Sequence, residues 1–421
     1  MEVTPKLQHE LLAVESEHDV YGMIELEVPE QTDDVSSERP PLRLALVLDR
    51  SGSMGGEKLD TVKRCAHFLV DKLKPSDELA LVTYDDDVDL LAGLQPVDAG
   101  EFHTAIDSIF TGGMTNLSGG WLKGQEELRR RTDGTRRILL LTDGLANVGA
   151  TDAGQLIGLA QGAGANQIST TTIGVGDGFN EELLTGMADA GQGGAWFAES
   201  VDDAPGIFAD EFDDLVALFA QNVSVELRPS DEVEVLGILN DYPAVGVDGG
   251  VQVQVGDVYA GQRVRVVFRL HIPELAGLGV RQVADVVLRY VTVGDTIEAH
   301  ETTLPITVNA VSADEAAAAN PDGEVTDEVT VLLAAKATDE ARRLADQGRT
   351  DVAAGILHHA ADDLHEVAPR SDRSAALHQQ ADDLLRTAKE MADAAYSAAS
   401  SKRLHYRSHE MKNRRRNRDD S

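Results

Sequence analysis

Leu42-Arg-Leu-Ala-Leu-Val-Leu-Asp-Arg-Ser-Gly-Ser-Met54 is the stretch on which the fold turns. Its near-continuous apolar run, Leu44 to Leu48, predicts a strand buried on both faces, as in a parallel sheet covered by helices. The run ends on Asp49 and enters a turn in which Asp49, Ser51 and Ser53 alternate with Arg50 and Gly52. Three hard oxygen donors can therefore face one side of a tight loop, with Gly52 easing its bend. Such donors suit magnesium, manganese or calcium rather than zinc.

Two further pieces follow in order. Thr111-Gly-Gly-Met-Thr-Asn116 is a glycine-softened loop ahead of a helix-like run, and Arg137-Ile-Leu-Leu-Leu-Thr-Asp-Gly144 is a second buried-strand pattern ending on an aspartate. In an open α/β sheet, ligands gather at the carboxyl ends of the strands, where these pieces converge. Taken singly, each Ser, Thr or Asp is equally a helix cap. Together, Asp49-x-Ser51-Gly-Ser53, Thr115 and Asp143 resemble the metal-ion-dependent adhesion site of the von Willebrand factor type A (VWA) domain family.

The resemblance implies an α/β fold with a doubly wound, mostly parallel, Rossmann-like sheet. It also implies a magnesium ion, or manganese or calcium in its place, held by Asp49, Ser51, Ser53, Thr115 and Asp143. The three hydroxyls would ligate directly and the two aspartates mainly through water, leaving a position for an Asp or Glu of a partner protein. The last helix of such a domain, here near Asp203 to Ala220, can shift when the site changes state. The implied function is metal-dependent protein–protein binding of an adhesion-like kind, without catalysis. The alternatives are an accessory subunit of a chaperone-type ATPase machine and a metal-assisted hydrolase. A hydrolase needs a general base beside the metal, and none of the twelve histidines falls in the three loops.

Around this centre, alternating strand and helix patterns run from residue 39 to 221, with strands at Glu78 to Tyr84, Arg136 to Asp143 and Ile168 to Val175 and helices near Leu59 to Leu73 and Glu181 to Ala190. From 222 to 310 short strands such as Val251 to Val255 and Arg263 to Phe268 alternate with glycine, proline and aspartate turns, predicting a β-sandwich domain. Strands within residues 1–38 cannot bury an apolar face alone and are expected to pair into that sandwich. The VWA segment is then an insertion, an arrangement that resembles the bacterial type of the family. Gln31 to Pro41 reads as a linker, as does 311–323. Helix signals fill 324–400, a C-terminal helical appendage with turns at Gly348 and Pro369.

The formal net charge is -36, but Ser401 to Ser421 carries eight basic and three acidic residues. The acidic body should repel nucleic acid and anionic membrane. The basic tail, 401–421, is expected to be disordered or to fold back on that body. No signal core opens the sequence and no apolar run is long enough to span a bilayer, so a soluble, cytoplasmic protein is expected. Lone Cys65 shares a helical face with Val62 and Leu69, which predicts packing.

Other chemistry is poorly supported. No phosphate-binding Gly-x-x-x-x-Gly-Lys loop occurs. Position 51 is serine where a nucleophile elbow around Ser53 requires glycine. Gly174-Val-Gly-Asp-Gly178 lacks a dinucleotide fingerprint's third glycine at Phe179. Asp85, Asp87 and Asp89 resemble the start of a calcium loop but meet Leu90 where it needs glycine, so a solvated strand-edge cluster is expected. His358, Asp362 and His365 form only a weak metal face at helical spacing.

Overall fold

In the computed structural model, residues 1–30, 40–176, 178–200, 202–293, 297–393 and 396–413 are described. The linker predicted from Gln31 falls largely outside them. The chain opens with β1 (Glu2–Leu7), β2 (Leu11–Ala13) and β3 (His18–Glu27). An α/β unit follows: β4 (Leu42–Asp49), α1 (Glu57–Lys72), β5 (Glu78–Tyr84), β6 (Val88–Pro96), α2 (Ala99–Asp107), α3 (Leu117–Leu128), β7 (Thr135–Thr142), α4 (Ala153–Ala165), β8 (Ile168–Val175), α5 (Glu181–Ala190), β9 (Gln192–Ala198) and α6 (Ala204–Val216). Its sheet has the order β6-β5-β4-β7-β8-β9, parallel except for β6. Side chains along β4 alternate between two cores: Leu42, Leu44, Leu46 and Leu48 pack with α1, α2 and α6, while Ala45 and Val47 meet Trp121 of α3 and the α4–α5 layer. This is a doubly wound α/β sheet, buried on both faces as the apolar runs require.

The chain leaves β4 toward β5 on one side, whereas β7 lies on the other. The crevice between the carboxyl ends of β4 and β7 is therefore the switch point at which this architecture places ligands.

The all-β part comprises β10 (Leu218–Pro229), β11 (Glu234–Ile238), β12 (Ala244–Val247), β13 (Gly250–Tyr259), β14 (Arg263–Ile272), β15 (Gly279–Val293) and β16 (Ile297–Val311). One sheet is β1-β3-β14-β11 and the other β12-β13-β10-β15-β16-β2. β3 is an internal strand, with Ile24 opposite Val266 and Leu26 opposite Val264. Inner faces of both sheets share one core, including Leu26, Val225, Phe268 and Val286. The α/β unit thus enters after β3 and leaves into β10. The predicted helix to Ala220 stops earlier, at Val216, because Leu218 to Ala220 already pair with β13.

Beyond the sandwich lie α7 (Ala313–Ala318), α8 (Gly323–Asp346), α9 (Thr350–Val367), α10 (Ser374–Ala392) and α11 (Ala398–Asn413). The segment predicted as a linker, 311–323, holds α7, capped by the Ser312 hydroxyl, so it is not irregular throughout. On α8, Val325, Val329 and Leu332 pack on Met23 and Val267 of the sandwich.

Of the two outcomes expected for the basic tail, disorder or folding back on the acidic body, α11 corrects the first as far as Asn413. This helix wedges between all three regions: Lys402 donates to the Phe179 carbonyl at 2.6 Å and pairs with Glu181, His409 meets Asp189 at 2.7 Å, and Lys412 pairs with Asp241 and Asp339. Its apolar residues divide likewise, Leu404 entering the helical core and Tyr406 the α/β core. Basic residues that look like a solvated tail in sequence are here matched by acids from distant segments. Residues 414–421 of that tail lie outside the described part.

Half-buried His405 of α11 shares a 3.1 Å hydrogen bond with Thr185, and its pKa is lowered to about 4 by burial, then by Arg342 and His409. In the unfolded chain it should protonate near 6.5, so unfolding takes up a proton between those values and stability falls as pH drops from about 6.5 to 4. The full shift corresponds to about 3 kcal/mol. Urea unfolding at pH 7 and pH 4 should show the wild type losing more stability than His405→Gln, by a difference approaching that figure. Equal losses would show that His405 is not held neutral.

Candidate metal centre

Asp49 closes β4 and is fully buried. Its Oδ1 accepts from the Ser51 amide at 2.8 Å and its Oδ2 from the Thr142 hydroxyl, at the end of β7, at 2.6 Å. The carboxylate thus braces both strands of the crevice. Ser51 and Ser53 hydroxyls lie 3.1 Å apart, and Ser53 donates to Asp143 Oδ1 at 2.7 Å. Thr115 is drawn in from the third loop: its amide donates to Asn147 Oδ1 at 2.8 Å, while its carbonyl accepts from the Asn147 and Val148 amides. A Cβ placed on Gly144 would lie 3.3 Å from the Thr115 hydroxyl and 3.5 Å from that of Ser53. The structure therefore brings Asp49, Ser51, Ser53, Thr115 and Asp143 to one place.

The loops are clamped by backbone. The Gly52 amide donates to the Gly113 carbonyl at 2.9 Å, and the Gly112 amide to the Arg50 carbonyl at 2.7 Å. Gly112 and Gly113 run so close to the β5–β6 turn that a Cβ on either would fall within 2 Å of the Asp85 or Asp86 carboxylate. Only glycine permits that approach.

This corrects the expectation for Asp85 as part of a solvated cluster. Asp85 is buried, accepting from Arg50 at 3.1 Å and from the Asp87 amide at 2.9 Å, and the arginine and these amides hold its carboxyl below the usual range despite burial. Asp87 and Asp89 are the exposed members. Sequence reasoning also missed Thr142, although it stands beside Asp143 in the quoted run, and Asn147. It missed Lys58, whose ammonium pairs with Asp143 Oδ2. The weak face on α9 does not become a site: His365 meets His378 of α10 at 3.0 Å, and no group of three or more His, Cys, Asp or Glu suited to a metal occurs among the described residues.

Electrostatically the centre is short of positive charge. Asp49 and Asp143 are 0 % and 1 % exposed; among the described residues Lys58 pairs with Asp143, while Asp49 is held by the neutral Ser51 amide and Thr142 hydroxyl. Burial first, and the neighbouring Asp143, push the Asp49 carboxyl above its ordinary value, while its hydrogen bonds from Thr142 and Ser51 oppose the rise. Two carboxylates, three hydroxyls and no buried thiol or imidazole make a donor set suited to a hard divalent cation. Cys65 is remote from this chemistry, buried on α1 with its thiol pushed up to about 12 by burial.

Comparison with known proteins agrees with the fold. Residues 44–209 match the family model of the von Willebrand factor type A domain, so the chain carries a domain of that family. An uncharacterized protein of Synechocystis sp. is 29 % identical over 268 residues, which is 61 % of this chain and 63 % of that protein. This chain spans less than two thirds of the curated relatives it matches first. Among solved structures, a von Willebrand factor type A protein from Catenulispora acidiphila aligns over 89 % of this chain and 88 % of its own, with TM-score 0.72 and 16 % identity. The ArnB paralog VWA2 from Sulfolobus acidocaldarius aligns over 97 % of both chains, with TM-score 0.61 and 18 % identity. These likenesses show the fold, extending through the sandwich and helices. No helix among the described residues is long and apolar enough to cross a membrane.

Proposed function

We propose that this protein is a metal-dependent protein-binding module, not an enzyme, in which Asp49, Ser51, Ser53, Thr115 and Asp143 hold magnesium or manganese. The observation that carries the proposal is the pair of buried carboxylates gathered with three hydroxyls, Asp143 paired with Lys58 and Asp49 held by neutral donors. An uncompensated buried charge is expensive, and a divalent cation removes the deficit. Asp49 holds the Ser51 loop through its amide and Thr142 through its hydroxyl, so the donors are positioned before any cation arrives. Ser53 is exposed while its hydroxyl stays on Ser51 and Asp143, so one side of the cluster is open to a partner. A bound cation supplies there a Lewis-acidic position that an Asp or Glu of the partner can complete. For a body of net charge -36, a local cation is also what lets an acidic group approach.

Calorimetry and thermal melts of the full chain with magnesium or manganese test this. At about ten times the dissociation constant the ion should stabilise the fold by ~1.4 kcal/mol, and Asp49→Ala or the pair Ser51→Ala with Ser53→Ala should abolish the effect. Calcium and zinc titrated in parallel establish the preference. Equal responses from wild type and Asp49→Ala would remove the proposal's support.

A further inference from the structure

Three large apolar side chains stand in water beside the metal loops. Phe110 is 74 % exposed and Met114 55 %, both on the loop that delivers Thr115; Leu145 is 55 % exposed and follows Gly144, where a Cβ would lie 3.3 and 3.5 Å from the Thr115 and Ser53 hydroxyls. None of the three serves the core, and each lies on a loop that delivers a donor, Phe110 and Met114 on that of Thr115 and Leu145 on that of Asp143, although scattered exposed apolar residues elsewhere need no explanation. The charges around them are sorted. Lys63 lies 5.6 Å over the Phe110 ring and Lys58 reaches Asp143, whereas Asp85 is turned onto Arg50 and Asp86 accepts from the Met114 amide at 3.0 Å. Exposed Asp89 is paired with Arg50 at 2.8 Å, and exposed Asp87 follows Asp86 in the β5–β6 turn.

We infer that the metal centre and its rim of Phe110, Met114 and Leu145 form one docking face whose partner is a protein segment presenting a single carboxylate flanked by bulky apolar side chains. The inference rests on the metal-binding proposal and specifies its partner. Charge complementarity decides the flanks. One carboxylate meets the cation and the Lys58 side, but further acids would meet Asp87 and a body of net charge -36. Apolar flanks instead cover the rim and gain the burial that Phe110, Met114 and Leu145 now lack.

The probes are synthetic hexapeptides with one central Asp flanked by Leu and Phe, by Ser and Gly, or by Glu, and the Leu/Phe peptide with Asn in place of Asp. Binding is read by fluorescence polarisation against the full chain in magnesium, with metal binding measured separately by calorimetry. The Leu/Phe–Asp peptide should bind at least about tenfold more tightly than the Ser/Gly or Glu peptides, and the Asn peptide should lose that binding. Phe110→Ser combined with Leu145→Ser should erase the preference while leaving magnesium affinity unchanged. If the chain binds magnesium yet holds all the Asp peptides equally, holds none, or holds the Asn peptide as well, the inference is overturned and the metal site stands. If no metal binds, the failure lies in the underlying proposal, and this inference falls with it.

Discussion

Replacing Arg137 by Met should destabilise the protein by about 3 to 5 kcal/mol. Arg137 opens the buried run of β7 and is itself fully buried at the join between the α/β unit and the sandwich. It donates to Glu211 of α6 at 2.8 Å, to Asp257 of β13 at 2.6 Å and to the Tyr259 hydroxyl at 3.2 Å. Both acids are tied further, Glu211 by the Thr171 hydroxyl and the Trp196 indole, and Asp257 by the Ser169 hydroxyl. Methionine fills much of the same volume but removes the guanidinium that both buried carboxylates share, and that loss exceeds anything the neutral donors supply. Combining Arg137→Met with Glu211→Gln and Asp257→Asn should recover a large part of the stability, because the uncompensated charge disappears with the pair. Urea unfolding followed by circular dichroism measures both. A single-variant loss below about 1 kcal/mol would mean that water reaches the cluster and the join is not dry.

The difference between Arg137 and Asp49 shows what the chain order reveals. Asp49, Ser51 and Ser53 fall within five residues, and the strand before them announces itself by unbroken apolar character, so the fold class and the core of the site are legible locally. Thr115 and Asp143 become legible because each also follows a recognisable loop or strand. Arg137 sits at the start of the second run yet offers no sign of its partners, which lie 74 and 120 residues away. Lys58 looks like any charge on the first turn of a helix, and only packing brings it to Asp143. Asp85 misleads for the opposite reason, since three alternating aspartates look solvated until the glycine loop closes over one of them. The tail is legible only in part: folding back on the acidic body is one of the two expected outcomes, but an ordered helix is not foreseen. Composition reports eight basic residues but not the acids of α5, α8 and the sandwich that wait for them.

Ending the chain after Ala392, and so removing α11, should lower the melting temperature by on the order of 10 °C. Tyr406 is stacked on Phe197 at 5.4 Å and edge-on to Phe179 at 6.3 Å, inside the α/β core. Leu404 fills the helical core. Loss of these two side chains costs about 1.5 to 3 kcal/mol each. Glu181, Asp189, Asp241 and Asp339 lose basic partners at the same time, each at least half buried as a side chain, so the combined loss is on the order of 5 kcal/mol. That is a large share of the stability of an ordinary domain. The effect should reach the metal centre. The Phe179 carbonyl that accepts from Lys402 follows Gly178, where a Cβ would lie only 2.6 Å from the Asp143 carbonyl oxygen. Slackening at Phe179 therefore loosens the support behind Asp143. Differential scanning calorimetry of the full chain, the truncated chain, Lys402→Met and Tyr406→Ala separates the contributions, with each single variant expected to fall between the first two. If truncation leaves the melting temperature within about 2 °C of the full chain, the helix contributes no more than a surface contact does, and its interior position does not govern stability.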